Sequence, residues 1–417
     1  MPRKLAYDIL VKYQNEQSYL NITLNDYLKN SELSRKDKDL ATNIVYGTVQ
    51  NKLYLEYILQ PHIENKKLSG RLKMLLLMSI YQLYFLDKVP DFAIVNEAVN
   101  LTKQRDQGAS NFINAILRKI INAPKPSLDD LDPITKLSIE TSHPKWMVAM
   151  FCKQYDYETT VKICQSNNGT PPRIGRVNTL KTTKESILED SRFKATQLSN
   201  VGVSYQTGNI ASNSFYQNGL LTIQDESSQL VAPFLDPQLG DLVLDMTCAP
   251  GSKTTHIAAL MKNSGAIHGF DLFEHKIKLV EQNLKRLGVT NVHLKAYDAT
   301  KLDELYEPNT FDRILLDAPC SGLGVLKRKP EIRYHDSSAM DTIIPLQAKL
   351  LEKAYYLLKN NGKMVYSTCT INKKENENMI QSFIKKYPDM KIIDEKKIMP
   401  YEYDSDGFYM CKLEKGR

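Results

Sequence analysis

The sequence predicts a doubly wound α/β domain over residues 221–417, preceded by an all-α bundle and a small α+β module. Three observations carry this expectation. Beyond residue 221, short apolar strand-like runs alternate with helical stretches, as a mostly parallel sheet with crossover helices requires. Residues 1 to about 122 keep a helical apolar period with few glycines or prolines. Between these regions, Asn122-Ala123-Pro124-Lys125-Pro126-Ser127 sets two prolines among mostly polar residues and reads as a linker. The expected domains are residues 1–126, 127–220 and 221–417. A chain of 417 residues exceeds one ordinary core, which agrees with several domains.

In the first domain, Leu5, Ile9, Leu10 and Tyr13 recur at helical spacing. So do Leu53, Tyr57 and Ile58, and Phe112, Ile116, Leu117 and Ile120. Pro90 interrupts the pattern between two helices, and the whole reads as a helical bundle. The most hydrophobic run, 74–86, contains Ser79 and Gln82. It falls short of the roughly 20 apolar residues that cross a bilayer, so it reads as a buried helix. In the second domain a helix is expected around Trp146 and Met147. A turn and a short strand follow in Pro171-Pro172-Arg173-Ile174-Gly175-Arg176-Val177-Asn178, then a helix over 184–188. In the third, strands are expected at 242–246, 267–270, 292–296, 314–316 and 364–366. Helices such as 274–287 and 346–358 separate them, and 408–413 supplies a last strand.

The net charge of +7 fits a polyanionic partner without proving one. Six cysteines scattered through 417 residues make no disulfide framework, and the absence of a Cys-x-x-Cys pair argues against a structural zinc site. The opening Met-Pro-Arg-Lys-Leu-Ala-Tyr has no apolar signal core. A cytoplasmic, reduced protein without metal or membrane association is expected.

The first α/β strand ends in Asp245-Met246-Thr247-Cys248-Ala249-Pro250-Gly251-Ser252-Lys253-Thr254. Small residues in such a turn let a ligand approach the backbone, and the N–H groups of the next helix point at it. Neither the dinucleotide glycine fingerprint nor the phosphate-binding Gly-Lys-Ser/Thr loop is present. Asp271, Asp298 and Asp317 close the next three expected strands. A strand-end acid is often a cap, but it can also accept from ribose hydroxyls, as Asp271 would, or from an adenine amine, as Asp298 would. S-adenosyl-L-methionine, with ribose and adenine but no phosphate, suits this spacing.

Two more strand ends carry cysteines: Asp317-Ala318-Pro319-Cys320-Ser321-Gly322-Leu323-Gly324 and Tyr366-Ser367-Thr368-Cys369. In an open α/β sheet such ends face the ligand crevice. Two thiols and an acid there point to covalent attack on an electrophilic carbon. The plainer alternative is a pair of small buried core residues.

These motifs resemble the RsmB/Sun class of ribosomal RNA cytosine-5 methyltransferases in the NOL1/NOP2/Sun group. The likeness extends along essentially the whole chain. The segment Leu221-Thr222-Ile223-Gln224-Asp225-Glu226-Ser227-Ser228-Gln229-Leu230 is similar to the opening of that family's catalytic domain, and Asp406-Gly407-Phe408-Tyr409 to its last hairpin. Val45-Tyr46-Gly47-Thr48 and the stretch from Gly108 to Arg118 are similar to a NusB-type RNA-binding bundle, and Arg176-Val177-Asn178 to a small RNA-recognition-like module. The chain departs from the family's usual Cys-Ala-Ala-Pro-Gly-Gly-Lys-Thr loop: Cys248 stands in place of Ala, Ser252 in place of the second Gly. Leu323 stands where Thr is common.

The resemblance implies a Rossmann-like methyltransferase domain after a NusB-like bundle. It places S-adenosyl-L-methionine on Thr247, Cys248, Ala249, Pro250, Gly251, Ser252, Lys253, Asp271, Asp298 and Asp317. It implies that Cys369 attacks, that Cys320 assists release, and that Asp317 meets the cytosine edge near N3, favouring attack when it carries a proton. Lys253 is a plausible cation beside the cysteines, or else a solvated helix-start lysine. The Pro-Cys cysteine of DNA methyltransferases would argue for Cys320 as the nucleophile; the Ser-Thr-Cys motif of the RNA group argues for Cys369. The basic loop Lys327, Arg328, Lys329 and Arg333 is expected to contact RNA phosphates, with Arg3, Lys4, Arg71, Lys73, Arg118 and Lys119 as candidates to extend that surface. The implied partner is ribosomal RNA of the small subunit, bound by a monomer. Transfer RNA, or a non-catalytic role in assembly, are the competing readings.

Overall fold

The computed structural model describes residues 1–16, 20–63, 67–103 and 107–416. The chain divides into two compact units: Met1–Asn168 with Arg328–Tyr334, and Gly169–Lys327 with His335–Arg417.

The first unit is helical. Seven helices run Pro2–Glu16, Leu20–Lys29, Arg35–Gln50, Lys52–Ile63, Gly70–Phe85, Asp91–Lys103 and Gln107–Asn122 among the described residues. The apolar run read as a buried helix is just that: every residue from Met74 to Gln82 in the helix Gly70–Phe85 is buried. It packs with Leu10, Ile44, Leu55 and Leu117 into one core. Ser34 and Ser69 cap their helices by accepting from Asp37 N–H and Leu72 N–H. Three further helices, Pro133–Thr141, Lys145–Gln154 and Tyr157–Asn167, cluster with this bundle, whereas the sequence reading grouped them with the middle module.

The segment Arg328–Tyr334 belongs to this unit, and one residue explains why. Arg333 is fully buried. Its guanidinium donates to Gln50 O at 3.0 Å, Thr141 O at 3.1 Å and Asn167 O at 2.9 Å. These carbonyls are the C-terminal residues of three helices. A cation thus sits at three negative helix ends and satisfies carbonyls that have no partner within their helices. The expected phosphate contact at Arg333 is therefore corrected: the side chain is internal and its donors face backbone. Tyr334 adds a bond to Val49 O at 2.9 Å.

The second unit holds two sheets. A four-stranded antiparallel sheet comprises β1 (Ile174–Val177), β2 (Phe193–Ala195), β3 (Gly202–Tyr205) and β4 (Leu221–Ile223), in the order β2-β3-β1-β4. The seven-stranded sheet comprises β5 (Leu242–Asp245), β6 (Ala266–Asp271), β7 (Val292–Ala296), β8 (Phe311–Asp317), β9 (Leu358–Thr368), β10 (Met390–Ile398) and β11 (Phe408–Lys415). Its order is β10-β11-β9-β8-β5-β6-β7. The pairs from β9 through β7 are parallel, while β11 joins β9, and β10 joins β11, antiparallel. Successive strand residues divide between two cores. Val243, Ile267, Leu315 and Val365 face one, and Leu244, Leu316, Met364 and Tyr366 the other. Both faces are covered, as a parallel core requires. The chain runs β5, β6, β7 to one side, then crosses to β8 and β9 on the other, so the loops after β5 and β8 diverge at a topological switch point.

Candidate active site

Register brings the cysteine motifs together. β8 and β9 are parallel neighbours with Asp317 opposite Ser367, and Ala318 N–H donates to Ser367 O at 2.8 Å. The turns beyond both strands then meet, and Cys320 Sγ lies 3.3 Å from Cys369 Sγ. Both are half-buried and neither forms a disulfide. Gly324 allows the close return of the chain: its N–H donates to Cys369 O at 3.0 Å, and a Cβ there would stand 1.9 Å from Gly407 O.

Asp317 accepts at both oxygens, from Lys253 Nζ at 2.6 Å and from Ser367 Oγ at 2.8 Å. The Lys253 side chain is only 13% exposed, so this is a shielded pair and not a surface one. Burial alone would lower the Lys253 pKa, but Asp317 and Cys369 outweigh it and raise it. The solvated-lysine alternative is thereby set aside. Cys320 is pushed well above the ordinary thiol range, first by its hydrogen bond to Cys369, then by burial and by the charges of Cys369 and Glu375.

The sequence reading missed Glu375, six residues beyond Cys369. It is fully buried and receives Ser321 N–H at 2.8 Å, Gln347 Nε2 at 3.2 Å and Asn372 Nδ2 at 2.9 Å. Ser321 Oγ donates to it as well, at 2.5 Å. Isolated among lysines and asparagines, it has no sequence pattern that marks it.

Beyond β5, Gly251 takes φ +98°, where a side chain would be strained and would press on Val280, 2.9 Å away. Its N–H donates to Cys248 O at 2.7 Å and closes the turn. The helix Ser252–Leu260 begins at once. Asp245 is internal: Thr254 Oγ1 donates to it at 2.7 Å, and burial raises its pKa to about 6. It braces the loop from below. Cys248 is buried and its thiol raised by that burial. From the small sheet, Arg176 is fully enclosed and donates to Ser252 O, to Thr255 Oγ1 at 3.0 Å and to Gln224 Oε1 at 2.7 Å. It ties the loop helix to β1.

Asp271 ends β6. Its Oδ1 accepts from Phe273 N–H at 3.2 Å and lies 3.5 Å from Lys276 Nζ, while Oδ2 accepts no hydrogen bond among the described residues. Leu272 beside it is 59% exposed. A carboxylate with an open oxygen next to bare apolar surface fits a ligand carrying a diol and a flat ring. Asp298, two residues past β7, caps a short helical turn through Thr300 N–H at 2.9 Å. Among the described residues no group of three His, Cys, Asp or Glu is placed to hold a metal ion, and no helix is long and apolar enough to cross a membrane.

The basic loop is less basic at its surface than its sequence suggests. The Lys327 side chain is 5% exposed and pairs with Asp404 at 2.6 Å, so its expected phosphate contact is corrected along with that of Arg333. Arg328 and Lys329 remain half-exposed. In the helical unit Lys4 and Lys73 are engaged by Asp8 and Glu56.

Comparison with known proteins assigns the parts. Residues 232–414 match the model of the 16S rRNA methyltransferase RsmB/F family, residues 1–122 the NusB family, and residues 143–207 the ferredoxin-like domain of RsmF/B-like methyltransferases. The chain is 39% identical to the probable ribosomal RNA small subunit methyltransferase B of Bacillus subtilis (strain 168), over 99% of this chain and 98% of that one. Among solved structures, PH0851 superposes with a TM-score of 0.86 at 24% identity, covering 100% of this chain and 99% of that one. A methyltransferase homolog protein from Pyrococcus horikoshii gives 0.62 at 29% identity, covering 68% of this chain and 100% of that one. With a NusB-like bundle, a ferredoxin-like sheet and a Rossmann-like methyltransferase sheet in one chain, and a relative this similar along its full length, the chain belongs to the RsmB/Sun family of ribosomal RNA small subunit methyltransferases.

Proposed function

We propose that the protein methylates C5 of a cytosine in 16S ribosomal RNA, using S-adenosyl-L-methionine and a covalent bond between Cys369 and the base. The observation that carries this reading is the 3.3 Å contact between the two sulfurs, beside the shielded Lys253–Asp317 pair. Asp271 and Asp298 would hold the ribose and adenine of the cofactor, and the loop Thr247 to Lys253 its remaining part. Bound there, the cofactor supplies an electrophilic methyl group.

C5 of cytosine is a poor nucleophile until C6 is attacked. A thiolate bonded to C6 breaks the ring conjugation and makes C5 enamine-like. Lys253 acts electrostatically on Cys369, which supports that residue as the attacking thiolate. Cys320 retains its proton chiefly because Cys369 accepts from it. When Cys369 bonds to carbon, that acceptor and its charge are gone. Once C5 carries the methyl group, Cys320, having given its own proton to solvent, takes the proton from C5 and becomes a thiol again, while the bond between C6 and Cys369 breaks and its electron pair returns to Cys369 as thiolate. Asp317, already an acceptor at both oxygens, suits the exocyclic amine of the base better than the N3 lone pair. The base must leave its stack to reach Cys369, so the target is an unpaired or splayed nucleotide. Arg328 and Lys329 are the remaining loop candidates for its flanking phosphates.

Bisulfite sequencing of small-subunit RNA from cells lacking the protein is expected to show one cytosine that loses protection. An unchanged 16S pattern, with a protected site lost from transfer RNA, would move the substrate.

A further inference from the structure

The site contains a buried carboxylate with no role in the scheme above. Glu375 accepts from four neutral donors and, among the described residues, forms no ion pair. Two of the donors come from Ser321, the residue that follows Cys320. Ser321 Oγ also lies 2.9 Å from Thr370 Oγ1, and Thr370 follows Cys369. A third donor, Gln347 Nε2, bonds at the same time to Pro319 O, at 2.9 Å, on the other side of Cys320. Tyr366 O–H anchors the Glu375 backbone at 2.7 Å. The turns bearing the two cysteines are thus tied to one anionic side chain, from both sides of Cys320.

We infer that Glu375 is a positioning residue for the reaction: it fixes Cys320 against Cys369 and keeps a negative charge beside it, so that Cys320 serves release and not attack. This rests on the division of labour proposed above. A buried anion satisfied only by neutral dipoles is costly unless its geometry is complete. Its location, one residue from Cys320 through Ser321, makes its field act on that thiol. The titratable and charged groups that face Cys320 are Cys369, Glu375 and Tyr366; Lys253, paired with Asp317, acts on Cys369, and Asp317 acts on Tyr366. Of these, Cys369 and Glu375 hold the Cys320 proton in place.

The test uses the full chain. In a Cys369→Ala background, alkylation of Cys320 by iodoacetamide is followed against pH by mass spectrometry of its peptide. Adding Glu375→Gln is expected to speed alkylation at fixed pH by at least about threefold, because the opposing charge is removed. Glu375→Asp, which keeps the charge, should restore the original profile. With both cysteines present, Glu375→Gln should also accumulate an RNA adduct that survives denaturing electrophoresis. An unchanged alkylation profile in a folded Glu375→Gln protein overturns the inference, and lowered thermal stability alone does not support it. Should Glu375→Gln fail to fold, Ser321→Ala keeps the charge and the backbone bond but removes the hydroxyl, which cuts one of the four bonds to Glu375 and the contact with Thr370 Oγ1. It is expected to accumulate adduct with an unchanged alkylation profile, and no adduct would overturn the positioning role. The alkylation result does not depend on which cysteine attacks; adduct formation by Cys369→Ala would refute that assignment separately.

Discussion

Replacing Arg333 by Met separates a structural arginine from a phosphate contact. Methionine fills much of the same volume without charge or donors. Gln50 O would lose the donor that now lies at 3.0 Å, Thr141 O would keep Asn168 Nδ2 and Asn167 O would keep Gln50 Nε2, while three helix C-termini would lose their shared cation. Bonds to a charged group contribute about 1.5–3 kcal/mol each. Part of that gross sum is returned because a guanidinium no longer has to be desolvated. Leaving a buried acceptor unsatisfied costs about 1–3 kcal/mol. With a urea dependence of about 1–3 kcal/mol per molar, the unfolding midpoint of the helical unit should fall by about 1 M. The protein's single tryptophan, Trp146, lies half-buried in the helix Lys145–Gln154 of this unit, so its fluorescence reports the transition locally. The dependence of RNA affinity on salt should keep its slope in Arg333→Met, whereas replacing Arg328 and Lys329 by Gln should flatten it by about 0.7 per lost phosphate contact on a single strand. An unmoved Trp146 midpoint together with a flattened salt slope in Arg333→Met would refute the reasoning and return Arg333 to the RNA surface.

Three further outcomes are expected. Cys369→Ala should abolish methylation and form no covalent RNA species, while Cys320→Ala should attack and then stall, since loss of a general base slows its step by about 10²–10⁴-fold; denaturing electrophoresis of each with RNA and cofactor distinguishes the two. Asp271→Ala should weaken cofactor binding by at least about tenfold, the worth of a charge-assisted hydrogen bond, and calorimetry with unchanged affinity would remove Asp271 from the cofactor site. His143 is buried in the helical unit, and burial, then the charge of Arg333, lowers its pKa well below the ordinary value. The unfolded chain therefore takes up a proton below about pH 6.5 that the folded one refuses, so stability present above that pH is lost on acidification by up to about 1.4 kcal/mol per unit, readable as a falling Trp146 midpoint.

Much of the fold is legible because its cores are periodic. The strand runs expected at 242–246, 267–270 and 292–296 fall on β5, β6 and β7: β5 is an inner strand of apolar residues ending in Asp245, while the edge strand β7 shows the period of two, with Val292, Leu294 and Ala296 alternating with exposed His293 and Lys295. β10 was missed for the opposite reason. Met390–Ile398 is an outer strand with a run of exposed residues from Asp394 to Lys397, and charge at a sheet edge protects against pairing with other chains while hiding the strand from a hydrophobic reading. The helices 133–167 look alike whether they join a bundle or a small sheet, and Arg333 bonds the C-terminal carbonyls of two of them.

The site divides along the same line. Asp317, Cys320 and Cys369 were readable because each follows an apolar strand at a turn, and parallel register then carries them to one edge. The four strand-end acids look equivalent in sequence, yet burial gives them different work. Asp245 turns inward to brace the loop, Asp298 caps a turn, Asp317 holds Lys253, and Asp271 keeps an oxygen open. Neither Glu375 nor the roles of Arg333 and Lys327 could be read this way. A charge run reads as solvated surface unless the sequence names its partners, and here the partners of Lys327 and Arg333 include a side chain 77 residues away and a backbone carbonyl 283 residues away. Chemistry that acts through strand ends is written locally, whereas the groups that hold that chemistry in place are distributed along the chain and are recognised only by burial.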